Sequence, residues 1–318
     1  MTALARISVI VPCFNAARFI PETLRSVLAQ QGVEIEVIVI DDGSTDGSAD
    51  VVANSFPEVK LLRQENQGVA AARNLGLRHA SHDWVAFIDA DDIWLPGKLA
   101  GQWAHLQSNL SASVSYTAWQ VWKSSEVAPT VAFMEILQAT AGDKEKWKGA
   151  SGWLYPELLV DCVVWTSTVV ARRSLLVDLG GFDRDLRIGE DWDLWLRASR
   201  RTPILRLARP YALYRLHSGN VTKTAPRTNP KAAVINSALH RWGYESPDGR
   251  RARRADVNSG LARSWADFAG AHLIAGNLHI ARESALQAVR TDPAQLLGWT
   301  VLAKTVLRAL TQRMASSR

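Results

Sequence analysis

Three carboxylates within four residues, Asp89-Ala90-Asp91-Asp92, close the apolar run Trp84-Val85-Ala86-Phe87-Ile88. At the carboxyl end of a buried strand such charges repel one another and desolvate badly unless a cation neutralises them. A turn with capping aspartates before a helix over 96–107, with Pro96 near its first position, accounts for one of them. The others read as ligands for a divalent metal carrying a diphosphate. Oxygen donors suit Mg²⁺ or Mn²⁺, which hold one or two carboxylates and take their remaining ligands from phosphate.

Three further constellations could do chemistry. Asp41-Asp42-Gly43-Ser44-Thr45-Asp46-Gly47 follows a second apolar run. A carboxylate there can accept hydrogen bonds from a nucleobase edge or a ribose hydroxyl, or the segment can be a turn in which Ser44, Thr45 or Asp46 caps a helix. In Gly189-Glu190-Asp191-Trp192-Asp193-Leu194-Trp195, helical spacing puts Asp191 at the N-terminal edge of an apolar face with Leu194, Trp195 and Ala198. The helix dipole favours its ionised form, so Asp191 can be a general base or a first-turn acid. In Tyr214-Arg215-Leu216-His217, His217 can ligate metal through neutral imidazole or simply pack, and Arg215 can pair with phosphate.

These groups need a scaffold that gathers strand ends. Apolar β-branched runs predict strands over 6–11, 36–40, 59–63 and 84–89, alternating with helices over 20–30, 46–56 and 68–80. Continuous rather than alternating apolarity marks strands buried on both faces, hence an α/β fold with a mainly parallel sheet and helices on both sides. Ligands of such sheets bind at the carboxyl ends of the strands, where Pro12, Asp41-Asp42 and Asp89–Asp92 fall. Farther on, a strand over 166–171, a turn at Gly180-Gly181, a helix over 190–200 and a strand over 204–216 are expected. Residues 110–165 show no clear period but hold Trp119, Trp122, Trp147, Trp153 and Trp165, with a charged, loop-like stretch over 143–148. A polar linker over 223–229 leads to a helical extension, in which Trp265, Phe268, Ala269, Ala281, Ala285, Ala288 and Pro293 have the spacing of one tetratricopeptide-like helix pair. One such pair cannot bury its own faces and is expected to pack on the first domain or on a partner.

Composition narrows the class. The 318 residues are 47% hydrophobic and 21% charged, enough for one large domain and a smaller one. Two cysteines, Cys13 and Cys162, form no disulfide framework or cysteine metal cluster. The start lacks a signal-peptide pattern and no uncharged run reaches the ~20 residues of a bilayer span, so a cytoplasmic protein is expected. The charge of +6 is uneven: residues 1–220 hold 22 basic and 25 acidic side chains, residues 221–318 hold 15 and 6. A basic tail with Arg250-Arg251-Ala252-Arg253-Arg254 but no nucleic-acid motif points to an anionic lipid surface rather than RNA or DNA. Peripheral contact with the inner face of the plasma membrane through 241–314 is the corresponding expectation, beside the plainer one of a solvated helical face.

Taken in order, the segments Ser8-Val9-Ile10-Val11-Pro12-Cys13-Phe14-Asn15, Val39-Ile40-Asp41-Asp42-Gly43-Ser44-Thr45-Asp46, Asn66-Gln67-Gly68, Ala72-Arg73-Asn74, Asp89-Ala90-Asp91-Asp92-Ile93-Trp94, Gly180-Gly181-Phe182-Asp183, Gly189-Glu190-Asp191-Trp192 and Arg215-Leu216-His217 resemble glycosyltransferase family 2 over about residues 6–220. The resemblance implies a GT-A fold, Rossmann-like, with a catalytic domain over 1–222 (nucleotide-sugar half about 1–110, acceptor half about 111–222) and the basic helical extension over 223–318. It implies a nucleotide pocket of Pro12, Asp42, Arg73 and Asp89, metal ligands among Asp91, Asp92 and His217, and Asp191 as catalytic base. The register leaves open whether Asp91 or Asp92 binds Mn²⁺ or Mg²⁺ directly. The implied reaction is inverting transfer of one sugar from a nucleotide-sugar, a UDP-sugar foremost, to a glycan or lipid-linked acceptor in cell-surface polysaccharide synthesis. The Gln-X-X-Arg-Trp signature of processive synthases is missing between Gly189 and His217. The tryptophan-rich region 119–165 falls where family members diverge to bind acceptor. An inactive nucleotide-binding scaffold of the same fold is the competing expectation.

Overall fold

The computed structural model describes residues 4–123, 150–217 and 226–316, with side chains to 311. The stretch 143–148, Trp147 and the start of the linker at 223–225 lie outside the described residues. The chain comprises two compact units, residues 1–154 with 163–218, and residues 155–162 with 219–318.

In the first unit β1 (Ala5–Cys13), α1 (Ile20–Leu28), β2 (Val33–Asp41), α2 (Ser48–Ser55), β3 (Lys60–Arg63), α3 (Val69–His79) and β4 (Trp84–Phe87) alternate as the sequence predicts. β1 is parallel to β2 and β4, and β2 to β3. The order β3-β2-β1-β4 reverses direction between β1 and β4, and ligands of open α/β sheets bind at the carboxyl ends beside such a reversal. All residues of β1 except Arg6 are buried, as expected for a strand covered on both faces. α3 approaches the sheet at Gly76, where a Cβ would lie 2.4 Å from Ile10 Cγ2 and 2.9 Å from Ile40 Cδ1. Gly76→Ala is therefore expected to destabilise by about 1–3 kcal/mol through overpacking, read as a lowered midpoint in urea with an unchanged m-value.

Past β4 the sheet becomes mixed. β5 (Ile93–Trp94), α4 (Lys98–Gln107), β6 (Val114–Lys123), the short α5 (Tyr155–Leu158), β7 (Val170–Arg172), α6 (Arg173–Asp178), α7 (Glu190–Ala198) and β8 (Ile204–Leu216) follow. β7 runs antiparallel between β4 and β6, and β8 pairs parallel with β6 and antiparallel with β5. The strand expected over 166–171 is a 3-10 turn (Thr166–Thr168) followed by β7: the Thr166 and Ser167 hydroxyls donate to Asp191 and Asp92, and Thr168 Oγ1 donates back to Trp165 O, instead of alternating across a sheet.

The second unit is helical: α8 (Pro230–Trp242), α9 (Arg254–Ile274), α10 (Leu278–Thr291) and α11 (Leu296–Ser316). It also takes α5, which the sequence reading placed in the first domain. The fully buried Tyr155 explains this, since its hydroxyl donates to Gly243 O at 2.8 Å and its ring meets Trp242 edge-on. Asn229 Oδ1 caps α8 by accepting from Ala232 N, with Pro230 at the first helical position. A three-residue connection joins α9 and α10, and α11 packs on them through a core of Ala269, Ala285 and Val301. No described helix is long and apolar enough to cross a membrane.

Candidate active site

The carboxyl ends of β1, β2 and β4 gather the sequence-predicted groups. Asn15, at φ +50°, ties the loops after β1 and β2 together: its N–H donates to Ser44 Oγ, and its Oδ1 accepts from Thr45 N. Asp46 Oδ1 accepts from Ser48 N at the start of α2, whose N-cap is the left-handed Gly47. Gly43 turns at φ +79°, with Asn66 N only 2.9 Å from where a Cβ would stand. Asp42 is 3% exposed and accepts from Gln64 Nε2, Gln67 N and Gly68 N, which leaves about one of its four acceptor positions. Its first effect is therefore to fasten the loop leading into α3. Pro12 is buried in β1 beside Ile40, and burial pushes the neighbouring Cys13 thiol up to about 12.

Arg73 projects from α3 and bridges two segments far apart in sequence. Its Nη2 donates to Asp89 Oδ1 at 2.7 Å and its Nη1 to Glu190 Oε1 at 2.8 Å, while the guanidinium lies over the Phe182 ring. The Glu190 carboxyl nevertheless rises to about 7, because burial and the adjacent Asp191 outweigh the cation. Asp191 follows at the N-terminus of α7, with Gly189 as left-handed N-cap. Thr166 Oγ1 donates to Asp191 Oδ2 at 3.1 Å and itself accepts from Trp195 Nε1. Ser167 accepts from Asp89 N and donates to Asp92 Oδ2 at 2.7 Å.

The aspartates after β4 separate by role. Asp91 Oδ2 stands 2.8 Å from His217 Nε2, and both side chains reach solvent. Burial, then the Asp89 charge, raises the Asp91 carboxyl. Asp92 is fully buried, with Oδ2 on Ser167 and Oδ1 accepting from Arg215 N. It points into the protein, and burial holds its carboxyl well above the usual range, so of the two candidates Asp91 is the one that reaches solvent beside His217. Arg215 is likewise buried rather than free for phosphate. Its Nε donates to Asp91 O, and its Nη2 pairs with Glu22. Behind this turn Lys98, fully buried, donates to Gln102 Oε1 and lies 4.0 Å above the Trp94 ring, and desolvation drives its pKa well down.

Asp91 supplies a carboxylate oxygen of the kind that Mg²⁺ or Mn²⁺ takes, with the His217 imidazole nitrogen beside it and an excess of negative charge around both. Among the described residues no three His, Cys, Asp or Glu side chains converge as a closed metal cage. The donor set fits an ion that takes most of its ligands from a bound diphosphate.

Sequence reasoning missed Thr166, Ser167, Glu190 and Glu22 as parts of this site. The run Thr166-Ser167-Thr168 was the available signal, since three hydroxyls before an apolar strand are poor core material.

A parallel half-sheet with carboxylates at its carboxyl ends, extended by a mixed half, is the GT-A architecture, and known proteins bear this out. The solved structure of S. aureus TarS 1-349 in complex with UDP-GlcNAc superposes with TM-score 0.62 at 17% identity, over 94% of this chain and 90% of that one. The mannosyltransferase PcManGT from Pyrobaculum calidifontis in complex with GDP-Man and Mn²⁺ does so with TM-score 0.56 at 21% identity, over 97% and 88%. At these identities they establish the fold. In sequence, the model of glycosyl transferase family 2 matches residues 8–132. The Escherichia coli UDP-Glc:alpha-D-GlcNAc-diphosphoundecaprenol beta-1,3-glucosyltransferase WfgD is 31% identical over 192 residues, 60% of this chain and 68% of its own length. The chain belongs to glycosyltransferase family 2. It spans about a third of the length of several Rickettsia relatives, such as an uncharacterized glycosyltransferase of Rickettsia bellii that is 27% identical over 242 residues and 33% covered.

Proposed function

We propose that this chain transfers one sugar from a nucleotide-sugar, a UDP-hexose or UDP-N-acetylhexosamine, to an acceptor hydroxyl with inversion at the anomeric carbon. The observation that carries this reading is the placement of Asp191. Arg73 with Glu190, and Thr166-Ser167, link its segment to Asp89 and to the turn after β4, where Asp91 meets His217 from the end of β8.

Asp191 takes the proton of the acceptor hydroxyl as its oxygen attacks the anomeric carbon and the bond to the diphosphate breaks, with positive charge growing on the sugar. Pro12, Asp42, Arg73 and Asp89 line the nucleotide side. Asp91 and His217 would hold Mn²⁺ or Mg²⁺, which when bound neutralises charge on the diphosphate, so no protein acid is needed there. Transfer of a single sugar accords with the missing Gln-X-X-Arg-Trp signature. WfgD, whose name specifies a UDP-Glc donor and an alpha-D-GlcNAc-diphosphoundecaprenol acceptor, supports a UDP-sugar donor and a lipid-linked acceptor; the setting we propose for this transfer is cell-envelope polysaccharide synthesis on the cytoplasmic side.

The test is a thermal-shift panel of UDP, GDP, dTDP and CMP, each with Mn²⁺ and with EDTA. Saturation at 100-fold over Kd adds about 2.7 kcal/mol of stability. The expected result is that UDP raises the melting temperature with Mn²⁺ and has little effect in EDTA. No response to any nucleotide would sink the reading. A metal-dependent response without turnover on any donor would leave the inactive scaffold.

A further inference from the structure

α11 is amphipathic in a direction that its own unit leaves uncovered. Its inner side carries Gly298, whose missing Cβ would lie 3.1 Å from Ala288, with Val301 and Thr305, 8% and 1% exposed. Its outer side presents Leu296, Trp299, Val306, Leu307 and Leu310, between 43% and 76% exposed. Positions 296, 299, 303, 306, 307 and 310 share one helical face, a stripe about 20 Å long at 1.5 Å per residue.

With Leu302, the stripe from Trp299 to Leu310 frames a shallow groove of about 380 Å³ whose lining residues are all apolar. Trp299 Nε1 donates to Pro293 O, fixing the half-exposed indole at one end of the stripe. Lys304 is exposed on one flank, and Arg308 a turn later is exposed while its Nη1 donates to Leu273 O. After Asp292 the chain has no acidic residue, while Lys304, Arg308, Arg313 and Arg318 are all basic.

We infer that the outer face of α11 is an interfacial helix that lies on an anionic phospholipid surface. Charge decides the occupant. A second copy would bring cationic flank against cationic flank, with no carboxylate in the segment to pair them. An apolar groove without polar lining would give a bound peptide no fixed register, whereas acyl chains need none. A helix with an apolar face, an interfacial tryptophan and lysine or arginine on its polar flank meets the requirements for lying in the plane of a bilayer surface. This inference stands independently of turnover at the catalytic site.

The experiment is flotation of the full chain with vesicles of phosphatidylcholine alone and of phosphatidylcholine with phosphatidylglycerol, at low and high salt. Wild type is expected to float with the anionic vesicles only, and to be released by salt. Leu307→Glu with Leu310→Glu should reduce partitioning at least tenfold, and Lys304→Glu several-fold. Leu307→Phe with Leu310→Phe should retain binding. All these positions are exposed, so the melting temperature and the UDP response should stay at wild-type values, which separates this inference from the catalytic reading. Absence of wild-type binding, or undiminished binding of the double glutamate variant, would overturn it. So would a concentration-dependent dimer that the same variant dissolves, because a second copy would then own the face.

Discussion

Asp191→Asn should lower kcat by about a thousandfold while leaving the UDP thermal shift unchanged. The magnitude is that of a positioned general base, about 10²–10⁴ in rate. The environment accommodates the amide. Asp191 Oδ1 accepts from Trp192 N, a bond the asparagine oxygen can keep. At the other end Thr166 Oγ1 already accepts from Trp195 Nε1, and its hydroxyl can rotate to accept from an amide as well as donate to a carboxylate. Shape and hydrogen bonding survive, and basicity is what is lost. Release of UDP during transfer, measured at saturating donor and metal, reads the effect. If the variant retains activity within tenfold of wild type, the base lies elsewhere and Asp191 is only a first-turn acid of α7.

The scaffold of this site was legible wherever burial imposes a continuous apolar run. β1, β2 and β4 declare themselves because both faces are covered, and β8 spans the thirteen residues expected of it. The joining of the two halves was not legible. β7 has three residues and α6 six, of which one, Leu176, is buried, so neither carries a period. The direction and place of β7 in the sheet come from tertiary pairing with β4 and β6. The aspartate run announced a cation but not its ligand, because the turn after β4 aims neighbouring side chains oppositely: Asp91 toward His217, Asp92 toward Ser167. Ion pairs across 117 residues, such as Arg73 with Glu190, leave no local trace. Either partner alone reads as an ordinary surface charge.

The same pair yields the largest expected stability effect. Arg73→Met should destabilise the protein by about 3–5 kcal/mol, the range for removing one member of a buried ion pair. Arg73 is 3% exposed and neutralises both Glu190, which is buried, and Asp89, which is one-third open to solvent, so most of the loss falls on Glu190. The loss should depend on pH. The folded carboxyl of Glu190 sits at about 7, above its ordinary 4.5. A raised folded pKa contributes stability that is fully present below about 4.5 and is lost as pH rises through about 7. Removing the guanidinium raises that carboxyl further, so the variant suffers most where Glu190 must be charged. The melting temperature of Arg73→Met should therefore fall farther below wild type at pH 8 than at pH 5.5. Glu190→Gln placed in the Arg73→Met background should recover much of the loss at pH 8 and flatten the difference, since an amide needs no cation. Equal losses at the two pH values, or a double variant no more stable than Arg73→Met, would show that Arg73 acts through its packing on Phe182 and not through charge.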